Sequence, residues 1–142
     1  MNKIIPAALA IVAIAGGAYY LTRPEAPEPS AQPAEGDPLV SITVPETLTA
    51  DAMMGQRAFD ATCAACHGTN ATGKMGFGPP LVHKIYEPNH HADMAFVMAV
   101  QNGVRAHHWP FGDMPAQSGL TPADVGAIIT YVRELQRANG IE

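Results

Sequence analysis

Apolar and polar positions divide the chain into three stretches. From Ile4 to Leu21, 18 residues run without a charge, with Lys3 ahead of them. That length is at the lower end for a helix that crosses a bilayer. Residues 23–48 carry Pro24, Pro27, Pro29, Pro33, Pro38 and Pro45 among Ala and Glu, which predicts an extended, semi-rigid linker. From Thr49 onward the pattern becomes helical. Val125, Ile128, Ile129, Val132 and Leu135 recur at the spacing of one helix face. Thr121 is placed to cap that helix, Pro122 fits its first position, and Asp124 faces the positive end of its dipole. Arg133 and Arg137 lie toward the negative end, and Asn139-Gly140 stops it. A middle helix is predicted from about His91 to Gln101, with Phe96, Val97 and Val100 as its stripe and Gly103 as its stop. A first helix opens at Thr49, with Asp51 in its first turn, and leads through Phe59 toward Cys63. Gly55 and Phe59 are four apart and share a face. Between the first and middle helices lies a loop bearing Gly68, Gly73, Gly76 and Gly78, ending in Pro79-Pro80-Leu81. These elements predict an all-α domain over 49–142, behind a membrane segment over 1–22 and a linker over 23–48.

The N-terminal segment has two readings. Ala13-Ile14-Ala15 has the small-x-small spacing of a signal-peptide cleavage site. Yet the apolar block continues through Ala18, Tyr19, Tyr20 and Leu21, and Tyr19 and Tyr20 suit a membrane interface. A retained anchor is the favoured reading. Lys3 then keeps the short end in the cytoplasm. The expected location is a bacterial inner membrane with the domain on its periplasmic side. Cleavage would leave the domain soluble in the periplasm, so either reading exports it.

Composition narrows the chemistry. The net charge is −5 and 15% of residues are charged, so no basic stripe exists for nucleic acid. From Thr49 onward the basic side chains are Arg57, Lys74, Lys84, Arg105, Arg133 and Arg137, and acidic side chains slightly outnumber them. Partner docking is therefore not steered by a positive patch. Aromatics make up only 6% of the chain, with one Trp. A domain of about 90 residues with so few large side chains has a thin core, which a buried cofactor would help to fill.

The chain has two cysteines, Cys63 and Cys66, and His67 follows directly. Two cysteines cannot make a four-thiolate zinc site. A redox dithiol would share the spacing, but Cys-x-x-Cys-His is the spacing of covalent haem attachment. Two residues within a helical turn put both sulfurs along one edge of the macrocycle, with His67 beneath the iron as a ligand. The ligand on the other face is open to several candidates: Met75, Met94, Met98, Met114, a histidine, or none. Met94 and Met98 are four apart on the middle helix and fit better as core residues packed beside the haem. Met114 stands in Phe111-Gly112-Asp113-Met114-Pro115, a turn-rich loop that can bring a thioether over the haem. It is the favoured ligand.

These motifs, in this order, resemble class I cytochromes c: Cys63-Ala64-Ala65-Cys66-His67, then Gly78-Pro79-Pro80-Leu81, then Met114-Pro115, then the helix from Pro122. The resemblance covers nearly all of 49–142. It implies a fold of about three to five helices around one covalent haem c. It implies that the Pro79 carbonyl accepts a hydrogen bond from the non-ligating nitrogen of His67. It also implies that the first and last helices cross, with Gly55 and Phe59 meeting Tyr131.

Two histidine pairs, His90-His91 and His107-His108, lie outside this pattern. Imidazoles ligate copper and zinc well, so converging loops could hold such a metal. The plainer reading makes these histidines surface residues or partners of the haem propionates. Trp109 and Arg105 are candidate propionate donors, with a solvated Arg105 as the alternative. The expected function is one-electron transfer, not enzymatic catalysis. Redox proteins at the membrane, such as a quinol-oxidising complex, a dehydrogenase or a terminal oxidase, would be the partners. The rivals are an open-faced haem peroxidase or gas sensor, which needs Met114 not to ligate, and a copper-binding redox module built on the histidine pairs.

Overall fold

A computed structural model describes Tyr19, Leu21, Thr22 and residues 32–142. Most of the expected membrane segment and the first part of the expected linker lie outside the described residues. Among the described residues no helix is long and apolar enough to cross a membrane.

Gln32–Glu142 forms one compact unit. Its helices are α1 (Ala50–Thr62), α2 (Ala64–His67), α3 (Asp93–Asn102) and α4 (Pro122–Ala138). Short 3-10 turns span Thr69–Ala71 and Lys84–Tyr86. The described residues contain no β-strand, only two isolated antiparallel bridges, Lys74 with Gly78 and Val104 with Met114. The all-α expectation therefore stands.

Helix α4 begins as its sequence dictates. The Thr121 side chain accepts from the Asp124 backbone, and the Asp124 carboxylate accepts from the Thr121 backbone in return. This reciprocal box satisfies two amides that the helix cannot pair itself. The Thr121 hydroxyl also donates to that carboxylate at 2.7 Å, and this bond first and the Thr121 backbone bond second hold the Asp124 carboxyl below its ordinary value. Thr49 caps α1 in the same way, accepting from Ala52. Its hydroxyl and backbone amide both donate to Glu134 of α4, which ties the start of one helix to the end of the other.

The crossing of α1 and α4 is the core. Ala52, Gly55 and Phe59 line the buried face of α1. They meet Ile128, Tyr131, Val132 and Leu135 of α4. The Phe59 and Tyr131 rings pack edge to face with centroids 5.6 Å apart, a geometry worth about 0.5–1.5 kcal/mol beyond area burial. The Tyr131 hydroxyl donates to Asn70 at 3.0 Å, so its polar end is satisfied. A Cβ on Gly55 would lie 1.9 Å from the Ala127 carbonyl oxygen. Only glycine admits this closeness, as the family resemblance implied.

The structure corrects two boundaries. Residues 32–48 are not a free linker. Leu39 and Val40 donate to the Thr72 carbonyl, Gly36 donates to Met75, and Met75 donates back to Asp37. Thr43 exchanges hydrogen bonds with the Asn139 side chain, and Ile42 and Leu48 pack against the core. Prolines dominate the composition, but the short apolar run from Leu39 to Leu48 has a face to bury, and its amides find partners. The middle helix starts at Asp93, not His91. His90 and His91 donate to the Glu87 carbonyl in a turn, and Ala92 is extended, with ψ 163.

Candidate functional site

The two cysteines and His67 sit where α1 breaks and restarts. Cys63 caps the C-terminus of α1 and starts α2, its carbonyl accepting from Cys66 and His67 at 3.1 and 2.9 Å. Gly68, at φ 72, ends the turn. Cys66 is exposed, Cys63 is half-buried, and both are unpaired. Burial raises the Cys63 thiol to about 11, with the neighbouring Cys66 charge adding to it. Dithiol oxidoreductases do the opposite, keeping a thiolate near or below neutral pH. Cys63 is therefore a poor nucleophile at neutral pH.

The glycine loop brings Pro79 to His67. Gly73 donates to the His67 carbonyl at 2.7 Å, and the Lys74–Gly78 bridge turns the chain back. Gly78 then lies against the Cys66 carbonyl, so close that a Cβ would sit 2.7 Å from its oxygen. The following residue places its carbonyl 2.9 Å from His67 Nδ1. A carbonyl can only accept, so Nδ1 carries the hydrogen and Nε2 keeps its lone pair. Burial lowers the His67 pKa, with the Pro79 bond opposing, so the neutral ligand form is favoured. This is the orientation that metal-binding histidines use.

Met114 is held on a clamped loop. It exchanges both backbone hydrogen bonds with Val104, each 2.9 Å. Asp113 accepts from the Ala106 amide, and Gln117 donates its amide to Val100 and its side chain to Pro115. Gly103, at φ 74, lets this loop press onto the end of α3; a Cβ there would lie 2.5 Å from the Met114 carbonyl.

Helix α3 is apolar in sequence, yet none of its residues is fully buried. Met94 and Met98, expected to pack in the core beside the haem, are 64% and 49% exposed. Trp109 stacks parallel to Phe111 and meets His83 edge to face. Its Nε1 is buried and makes no hydrogen bond of acceptable geometry. The Tyr86 phenol is near enough for this indole to oppose the rise to about 12 that burial gives it. Arg105 is exposed.

The histidine pairs do converge. The His90 ring lies 5.4 Å from that of His108, His91 lies 5.3 Å from His108, and His107 lies 4.2 Å from His108. His108 is held below its ordinary pKa by desolvation first, then by charge on His107, His91 and His90.

One network escaped the sequence reading. Arg133, expected as a helix-end cation, is buried. It donates to Asp93, to the carbonyls of Tyr86 and His91, and to Gln136, and its guanidinium lies 4.9 Å from the Phe96 ring centroid. Gln136, fully buried, donates to the carbonyls of Leu81 and Tyr86. Together they fasten the 81–91 loop and the start of α3 onto α4. A polar residue on the apolar face of α4, as Gln136 is among Val132 and Leu135, was the available signal.

Known proteins resemble this chain in sequence. The family described as Cytochrome c matches residues 52–136. Cytochrome c-555 of Chlorobaculum thiosulfatiphilum is 38% identical over 85 residues, covering 58% of this chain and 93% of that protein.

Proposed function

The chain belongs to the cytochrome c family and is a haem electron carrier with covalently attached haem c, and from that premise we propose that His67 and Met114 saturate the iron of a one-electron relay. The residues present fit the group. Cys63 and Cys66 are free to form thioethers on one turn. His67 offers Nε2 because Pro79 holds Nδ1–H. The buried, unpartnered Trp109 Nε1–H suits a propionate oxygen. The apolar face of α3, with Met94 and Met98, suits a macrocycle wall. The bound group supplies a reversible one-electron couple.

The chain's own residues set its behaviour. The Pro79 bond fixes the His67 ring and makes its free nitrogen more basic. The Met114 thioether, a soft donor, favours the ferrous state and raises the potential relative to a second histidine. His67 and Met114, if both hold the iron, would leave no position for substrate, which disfavours peroxidase or gas-sensing chemistry. The observation that carries this reading is the 2.9 Å bond from buried His67 to Pro79; the Val104–Met114 bridge holds the loop that would supply the second ligand.

The partners we propose are membrane redox proteins: a quinol-oxidising complex or dehydrogenase as donor, a terminal oxidase or reductase as acceptor. The charge-free block from Ile4 to Leu21 supports an inner-membrane tether with the haem domain on the periplasmic side. A tether would raise the local concentration at such partners. Voltammetry of the haem-loaded protein with and without carbon monoxide tests the saturated site. One reversible one-electron wave, unmoved by carbon monoxide, is expected. A wave displaced by the gas would overturn it.

A further inference from the structure

We infer that His90, His91 and His108 form a binding site for one divalent ion of the copper–zinc class, separate from the haem ligands. The site joins two segments far apart in sequence. His90 and His91 close the turn before α3, and His108 follows its far end. Each of the three rings offers a nitrogen, and these atoms lie within 4.8 Å of one another.

That spacing is close to a coordination sphere. Nitrogens bound at about 2.0–2.1 Å in a tetrahedral site lie about 3.3 Å apart. The rings must therefore close by no more than about 1.5 Å. His90 and His108 are exposed and their side chains hydrogen-bond no described residue, so both can turn inward. His91 is half-buried and fixed. Its Nδ1–H donates to the Ile85 carbonyl at 2.6 Å, which leaves Nε2 with its lone pair. Its own carbonyl is held by Arg133. One anchored imidazole with a carbonyl behind it and two free to close is the pattern of a metal ligand with its outer support. The His107 ring centroid lies 4.2 Å from that of His108 and its Nδ1 is fixed to the Arg105 carbonyl, but it stands outside this group of three.

The donor set selects the ion. None of the four rings hydrogen-bonds a carboxylate among the described residues, so hard cations such as magnesium and calcium are disfavoured. Neutral imidazoles suit copper and zinc, and copper(II) should bind more tightly than zinc(II). The rings do not serve the core, and no acidic partner makes them a surface ion pair.

The test uses haem-loaded, oxidised protein. The cysteines are then blocked as thioethers, and ferric haem cannot reduce the added metal. After chelator treatment, copper(II) and zinc(II) are titrated separately by calorimetry, and the copper form is examined by electron paramagnetic resonance. One equivalent per chain is expected, with nitrogen hyperfine coupling from the imidazoles and with copper displacing zinc. The double variant His90→Gln/His108→Gln should bind copper more than about 100-fold more weakly, since even losing an outer partner costs 10–100-fold. Its haem spectrum should be unchanged. Should that spectrum change, the single variant His108→Gln replaces it, with a loss of at least about tenfold expected. Binding well below one equivalent would overturn the assignment. So would one equivalent held with undiminished affinity in the variants, since the ion would then lie elsewhere.

Discussion

Replacing Gly55 with Ala tests the helix crossing on which the haem-bearing turn rests. The new methyl would sit 1.9 Å from the Ala127 carbonyl oxygen, 2.4 Å from its carbon and 2.9 Å from the Ile128 nitrogen. All three atoms are backbone of α4, so no side chain can swing aside. Ordinary contact begins near 3.4 Å, so α1 and α4 must separate by about 1.5 Å at their crossing. Overpacking usually costs about 1–3 kcal/mol, and a rigid backbone neighbour puts this case at or above the top of that range. Higher helix propensity returns about 1 kcal/mol. The net loss is about 2–3 kcal/mol, or roughly 8–15 °C in Tm at about 4–5 °C per kcal/mol for a unit of this size. Gly126→Ala is the internal control. It lies within α4 with nothing inside 4 Å of the added methyl, so propensity alone should raise stability by about 0.5–1 kcal/mol. Thermal unfolding of both haem-loaded variants, followed by far-ultraviolet circular dichroism, reads the pair. If Gly55→Ala melts at or above the parent temperature, the close crossing is refuted.

Further outcomes follow from other contacts. Gln136→Leu strands the buried Leu81 carbonyl and should cost about 1–3 kcal/mol in urea unfolding; an unchanged midpoint would show that the network contributes nothing. Trp109→Phe removes a buried N–H that lies near the Tyr86 phenol; losing a propionate bond with it should cost about 1.5–3 kcal/mol of haem-loaded stability. An unaltered Tm would remove Trp109 from the site. Tyr131 is raised from 10.0 to about 12 by burial first and then by Asp60, with the Gln56 side chain opposing. Its folded value lies above its unfolded one, so its contribution is intact below pH 10 and is lost as pH climbs toward 12. Denaturant titrations across that window should show the decline, shallower in Tyr131→Phe, and an equal slope in both proteins would contradict the assignment.

The features that could be read from sequence were those in which local chemistry and tertiary role coincide. Thr121, Pro122 and Asp124 cap a helix by rules that need no neighbours, and the cap is as expected, with the return bond from Asp124 added. Cys-x-x-Cys-His carries its chemistry in its spacing. Gly55 and Phe59 could be placed against Tyr131 only through the family resemblance, since nothing local says which helix they meet. What stayed hidden depends on long-range partners. The strap from Leu39 to Thr43 is stabilised by amides that pair with Thr72, and by Asn139; a proline-rich average masks it. Arg133 looked like a helix-end cation because its acceptors, the carbonyls of Tyr86 and His91, come from a distant loop. Periodicity gives Met94 and Met98 an apolar face but does not say what covers it.

The central claim is a saturated iron held between His67 and Met114, and the near-infrared spectrum of the ferric protein tests it most directly. The account predicts the weak charge-transfer band of thioether-ligated ferric haem, present in the parent and lost in Met114→Ala, with the covalent haem retained in both. A parent spectrum without that band, or a band that survives the loss of Met114, would contradict it.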